Sequence, residues 1–156
     1  MATPSPHPQP APAKRRRSAS TVVEPVDHRP RHVSGLAIIE QARQGVNTRQ
    51  VDQLTQLLKV SFKEMATLLQ IAERTLHRFR SEGHLDQQAS ERLLLLENLT
   101  AHGLLVFDGR ADALADWLRY PLKELTNQPP LTLLTTISGF GLVDDVLTRI
   151  EYGVYA

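Results

Sequence analysis

The run Leu93-Leu94-Leu95-Leu96 constrains the fold of this chain more than any other stretch. It lies inside a helical pattern that extends from Leu85 to Ala101. Adjacent helical residues point about 100° apart, so four leucines in a row cover most of the circumference. A helix that is apolar all round has to be surrounded, and the rest of the chain has to supply the elements that surround it. With 156 residues and 41% hydrophobic content, the chain can build one compact core, or two small helical lobes sharing one.

The flanking segments have the right periodicity, and it is helical. Ser34 caps a helix through Leu36, Ile38, Ile39 and Ala42 that ends near Gly45. Val51, Leu54, Leu57 and Leu58 form the stripe of a second helix. Ser61 with Glu64 three residues on is a capping box, opening a helix with Phe62, Met65, Ala66 and Leu69 on one face. After a short break, Glu73 to about Ser81 is helical, with Leu76 and Phe79 inward, and Gly83 ends it. Beyond the long helix, Phe107-Asp108-Gly109 reads as a turn, and Ala111–Tyr120 as a helix with Leu114, Trp117 and Leu118 inward. Pro130 suits the first turn of a short helix through Leu131, Leu133 and Leu134. Ser138-Gly139-Phe140-Gly141 reads as a further break. The last helix is then expected from Leu142 to Tyr152, with Val143, Val146, Leu147 and Ile150 at i, i+3, i+4, i+7 and Gly153 releasing a tail. Strand-like alternation is essentially missing, so the expected fold class is all-α.

Several functions are disfavoured. Cysteine is absent, which removes disulfides, thiolate metal sites and cysteine nucleophiles. No apolar run approaches the roughly 20 residues that span a bilayer. There is no glycine-rich phosphate loop, no HExxH and no Gly-x-Ser-x-Gly, so no catalytic residues, cofactor or metal are expected. His28 and His32 are four apart but flanked by prolines, so they cannot share a helix face. Residues 1–33 read as a disordered basic tail. They are rich in proline, carry the run Lys14-Arg15-Arg16-Arg17, and offer little to bury.

The net charge of +1 conceals an uneven distribution. Residues 1–34 hold six basic and two acidic residues, whereas residues 81–156 hold five basic and eleven acidic ones. Basic and acidic regions on one chain suit two different partners.

The second half of KEMATLLQIAERTLHRFR, Lys63 to Arg80, is rich in arginine. Two short helices with facing apolar sides and a tight turn are the makings of a helix-turn-helix, whose second helix lies in the DNA major groove. Phe62, Met65, Ala66 and Leu69 face Ile71, Leu76 and Phe79, leaving Arg74, Thr75, His77, Arg78 and Arg80 outside or at the helix edges. Arginine is the commonest bidentate reader of guanine, and Lys63 at the start of the preceding helix suits a phosphate. An ordinary amphipathic pair with a solvated basic face would show the same pattern. The turn also departs from the usual chemistry: Gln70 stands where glycine is common, and Ala72 stands at the N-cap.

Two segments together resemble one family. LLKVSFKEMATLLQIAERTLHRFRSEGHLDQQASERLLLL is similar to the helix-turn-helix half of Xre-type antitoxins. ADWLRYPLKELTNQPPLTLLTTISGFGLVDDVLTRIEYGVYA resembles their C-terminal Xre/MbcA/ParS toxin-binding domain, with the Trp-Leu pair, the Pro-Leu start and the closing Arg-Ile-X-X-Gly-Val-Tyr. The resemblance covers about residues 50–156. It implies a cytoplasmic homodimer that blocks a RES-domain, NAD⁺-consuming toxin and represses its own operon. The tail (1–33) is not part of the pattern, which divides the rest of the chain into a DNA-binding domain (34–101) and a toxin-binding domain (102–156). DNA reading then falls to Arg74, Thr75, His77 and Arg78, with Lys63 and Arg80 beside them. Toxin contact falls to the last helix and tail, at Asp144, Arg149, Glu151, Tyr152, Gly153, Val154 and Tyr155. Family members often carry glycine where Asn127 stands here. The alternative is a plain dimeric helix-turn-helix repressor without a toxin partner.

Overall fold

The structure is a computed structural model that describes residues 33–154. The expected tail falls outside the described residues apart from Val33, and so does Tyr155. Eight α-helices and one short 3-10 turn account for the regular structure, and no named β-strand occurs among the described residues.

The leucine run does lie in the central helix, α5 (Gln87–Val106), where Leu93, Leu94, Leu96 and Leu99 are buried. Each fully buried leucine contributes roughly 1.5–3 kcal/mol relative to exposure. Asp86 caps α5 by accepting from the Ala89 N–H. The helix does not stop near Ala101 as its pattern suggests but continues through His102 and Gly103. Gly103 is not a terminator here. A Cβ on it would lie 2.5 Å from Leu114 Cδ1, so its bare Cα is what lets the next helix approach.

α1 (Gly35–Gln44) and α8 (Ile137–Glu151) both pack on α5. The Ser34 cap and the Gly45 stop are as the pattern predicts. Ile38 and Ala42 are the buried pair of α1, whereas Leu36 is 81% exposed and Ile39 41%. Val33 donates its N–H to Asn98 Oδ1 at 3.0 Å, which fixes the start of α1 against α5. α2 (Thr48–Leu57), α3 (Phe62–Leu68) and α4 (Glu73–Glu82) complete the first half, with Val51, Leu54, Met65 and Leu76 buried. Gly83 ends α4 at φ 87°. The buried Ser90 hydroxyl accepts from the Val46 N–H at 2.9 Å and ties the α1–α2 link to α5.

In the second half, α6 (Ala111–Arg119), the 3-10 turn Lys123–Leu125 and α7 (Pro130–Leu133) precede α8. The expected break at Ser138–Gly141 is absent: α8 runs unbroken from Ile137, with Thr136 as its N-cap. A Cβ on Gly139 would overlap the Leu133 carbonyl, lying 2.5 Å from its carbon. Gly139 therefore permits close packing of α7 on α8. Gly141 is exposed, with nothing near its missing side chain.

One ionic cluster joins the two halves. Arg119 of α6 donates to Glu64 Oε1 at 2.9 Å and to the Lys59 carbonyl at 2.9 Å. Lys59 Nζ lies 2.7 Å from Asp112 Oδ1. Glu64 also closes the capping box of α3 by accepting from the Ser61 N–H at 2.7 Å. The Arg119 guanidinium, with the Ser61 backbone second, holds the Glu64 carboxyl down at about 2.

Candidate functional site

α3 and α4 form the pair anticipated from sequence. Their turn is built without the usual residues. Gln70 takes the glycine-favoured left-handed conformation at φ 58°, and its side-chain amide donates to the Thr67 carbonyl at 2.8 Å. Ala72 takes the N-cap position with no side-chain bond to offer. The turn is thus formed by the packing of Leu69, Leu76 and Phe79, all buried, in spite of its local chemistry.

With Leu76 and Phe79 facing the core, residues 74, 77, 78 and 81 occupy the opposite side of α4 by helical spacing. Arg74, His77 and Arg78 are exposed, as is Lys63 at the start of α3, while Thr75 is half-buried. Arg78 lies 3.6 Å from Glu82 one turn on, an exposed pairing that is readily exchanged. Arg80 is placed differently. It stands on the flank, 3.2 Å from Asp52 of α2 and over the Phe62 ring at 5.4 Å. His77 also meets the Phe62 ring, with centroids 4.3 Å apart. Phe62 is half-buried because it serves as the shelf on which these two side chains rest.

The second set of residues gathers at the end of α8. Tyr152 is 63% exposed and Val154 58% exposed, so neither packs back into the core. Gly153 turns the chain at φ 64°, and the Val154 N–H returns to the Arg149 carbonyl at 2.9 Å. Arg149 and Val154 line a cleft of about 110 Å³ together with Trp117, Leu122, Val146 and Ile150. Trp117 is half-buried rather than fully inward, and its ring meets Phe107 with centroids 5.7 Å apart.

Asp144 and Glu151 belong to a feature that sequence reasoning missed. The His102 ring, buried near the C-terminal end of α5, lies with Nδ1 2.7 Å from Asp144 Oδ1 and Nε2 3.2 Å from Glu151 Oε2. A ledger of scattered histidines overlooks it. The available signal was its register: His102 follows Leu99 by three residues and Leu95 by seven, among the leucines of the core helix. The acidic end of α8 is accordingly not a simple solvated patch. No group of side chains suited to holding a metal ion occurs among the described residues.

Fold and surface together define a helix-turn-helix protein with a second helical lobe packed on the same central helix. Residues 37–98 match the Antitoxin Xre-like helix-turn-helix domain, and residues 102–153 match the Antitoxin Xre/MbcA/ParS C-terminal toxin-binding domain. The chain is 24% identical over 123 residues to "Antitoxin Xre" of Yersinia enterocolitica serotype O:8 / biotype 1B, covering 78% of this chain and 83% of the relative. The chain is an Xre-family antitoxin, with a DNA-binding helix-turn-helix followed by a toxin-binding domain.

Proposed function

We propose that this antitoxin neutralises a RES-domain, NAD⁺-consuming toxin through the end of α8 and represses its own operon through α3 and α4. The observation that carries the reading is the separation of two exposed faces on one shared core. Arg74, His77 and Arg78 line the outside of α4, while Tyr152 and Val154 stand free at the end of α8. On DNA, α4 enters the major groove, with Arg74 and Arg78 against base edges or phosphates and Thr75, His77, Arg80 and Lys63 along the rim. At the other end Arg149, Tyr152, Gly153, Val154 and Tyr155 meet the toxin, with Asp144 and Glu151 supplying negative charge. A pocket built for the phosphates of a dinucleotide is basic, so an acidic partner is captured faster. Residues 34–101 read DNA and residues 102–156 bind toxin, with α5 shared between them. The protein acts by binding rather than catalysis, in the cytoplasm where its operator lies.

Operator reading by a helix-turn-helix favours a two-fold dimer. The exposed stripe of α1 suits that role. Leu36 and Ile39 share it with Glu40 and Arg43, so two antiparallel copies would bring Glu40 of each beside Arg43 of the other.

The test is growth of cells expressing the neighbouring toxin gene, with either the full chain or a folded chain ending at Glu151. Rescue by the full chain alone supports neutralisation through the C-terminal residues. Equal rescue by both refutes it, and a neighbouring gene product without toxicity favours a plain repressor. In a gel shift at fixed salt, Arg74→Ala with Arg78→Ala should abolish the operator complex while rescue persists.

A further inference from the structure

We propose that His102 is a positioning residue for toxin recognition, clamping the end of α8 through Asp144 and Glu151 so that Tyr152 and Val154 are held ready for the partner. The inference rests on the reading of that end as the toxin-binding site.

The geometry is unusual in two ways. Asp144 and Glu151 are seven residues apart, two turns along the same face of α8. A single ring from α5 meets both, at 2.7 Å and 3.2 Å. The imidazole is 3% exposed, so water cannot readily replace either arm. Ionised carboxylates only accept, and a neutral imidazole donates from one nitrogen only. A bond donated by the ring to an ionised carboxylate is charge-assisted and of the stronger kind.

Position gives the clamp its consequence. Glu151 is the last residue of α8, and Tyr152, Gly153 and Val154 follow directly. Their N–H groups return to the carbonyls of Thr148, Ile150 and Arg149. Helix ends fray unless something holds them, and here Ile150 is the only half-buried apolar side chain in the last turn. The Glu151 arm adds a polar anchor from the core. An end ordered before binding loses less entropy on binding, so the clamp should slow toxin release. It also changes what the two carboxylates do. Besides the negative charge they supply, they act through His102 on the shape of the helix end that carries Tyr152 and Val154.

Amide hydrogen exchange of the full chain tests the clamp without any toxin. In His102→Gln, whose amide can set its nitrogen toward one carboxylate but then sets its accepting oxygen toward the other, exchange at Gly153 and Val154 should rise about tenfold, the effect of one lost charge-assisted bond. Exchange at Leu76 and Phe79 in the other half should be unchanged. Glu151→Gln, which leaves the core untouched, should reproduce the local rise and guards against a His102→Gln chain that fails to fold. Tyr152→Ala should leave exchange at Val154 unchanged. With the neighbouring RES-domain protein as probe, His102→Gln and Glu151→Gln should each release toxin about tenfold faster. Tyr152→Ala should also weaken the complex. Unchanged exchange at the α8 end, or an equal rise throughout the chain, overturns the clamp. A local rise with toxin release altered only by Tyr152→Ala overturns its role in recognition. Release altered by none of the three variants instead overturns the toxin site at this end.

Discussion

Gly139 and Gly141 lie two residues apart in α8, and alanine should have opposite effects at the two positions. In an exposed helix interior, alanine is better than glycine by about 1 kcal/mol. At Gly141 nothing lies within 4 Å of the added Cβ, so most of that gain should be realised, about 0.5–1 kcal/mol. At Gly139 the same atom would lie 2.5 Å from the Leu133 carbonyl carbon and 2.9 Å from Thr136 Oγ1. The first obstacle is backbone and cannot rotate aside, so α7 has to move away from α8. Overpacking of this kind costs about 1–3 kcal/mol. The Thr136 hydroxyl that caps α8, by accepting from the Gly139 N–H at 3.0 Å, is displaced as well, adding about 1 kcal/mol. Set against the alanine gain of about 1 kcal/mol, the net expectation is a loss of about 2 kcal/mol for Gly139→Ala. Urea unfolding of both variants measures the difference. With an m-value of about 1.5–2 kcal/mol/M, the midpoint of Gly139→Ala should fall by roughly 1 M and that of Gly141→Ala should rise by a few tenths. A Gly139→Ala protein as stable as the parent would refute the close approach of α7, and with it the reason that α8 crosses Ser138–Gly141 unbroken.

Four further outcomes follow from the other half of the molecule. Ala72→Ser should supply the missing cap of α4 and add about 1 kcal/mol, or a rise in Tm of about 3–4 °C by calorimetry; no rise would mean that the cap is satisfied some other way. Glu64, held at about 2 against an ordinary 4.5, contributes stability that is present above pH 4.5 and lost as pH falls through about 2. Its side chain is 41% exposed, so screening leaves about 1 kcal/mol, and the stability gap between the parent and Glu64→Gln should close on acidification to about pH 2 and narrow in high salt. A gap indifferent to both would show that the Arg119 pair contributes nothing. Finally, Arg78→Ala should lower the salt slope of operator binding by about one, and cost roughly 0.5–1 kcal/mol of stability through its contacts with Glu82 and the Phe79 ring, 5.2 Å away. Arg80→Ala should cost roughly 0.5–1 kcal/mol of stability in addition, through lost contact with Asp52 and Phe62, and a thermal melt identical to the parent's would contradict that placement.

Much of the molecule was legible because it rests on local chemistry. The Ser34 cap, the Ser61–Glu64 capping box, the Gly83 stop and the buried stripe Val143, Val146, Leu147 are all where residue type and spacing put them. The helix-turn-helix itself follows from two adjacent apolar faces, and the exposure of Arg74, His77 and Arg78 follows from the register of Leu76 and Phe79. The paired motifs at the two ends carried the family resemblance for the same reason: they are strings of residues, readable without coordinates.

Other features depend on partners far away in the chain, and these only the tertiary structure decided. Gly103 and Gly139 look like breaks, since glycine ends helices by default; here each remains helical because Leu114 or Leu133 presses against the space its side chain would fill. Gln70 adopts a glycine-like backbone because the packing of α3 on α4 outweighs its own preference. Glu64 reads as a cap in sequence, yet Arg119, 55 residues away, makes it the hinge-point of an ionic link between the halves. His102 reads as one of several scattered histidines until α8 brings Asp144 and Glu151 to its two nitrogens. Periodicity and capping are properties of neighbours along the chain and are written in the sequence. Close approach and long-range pairing are properties of the packed core, where a residue's role is set by what the fold brings against it.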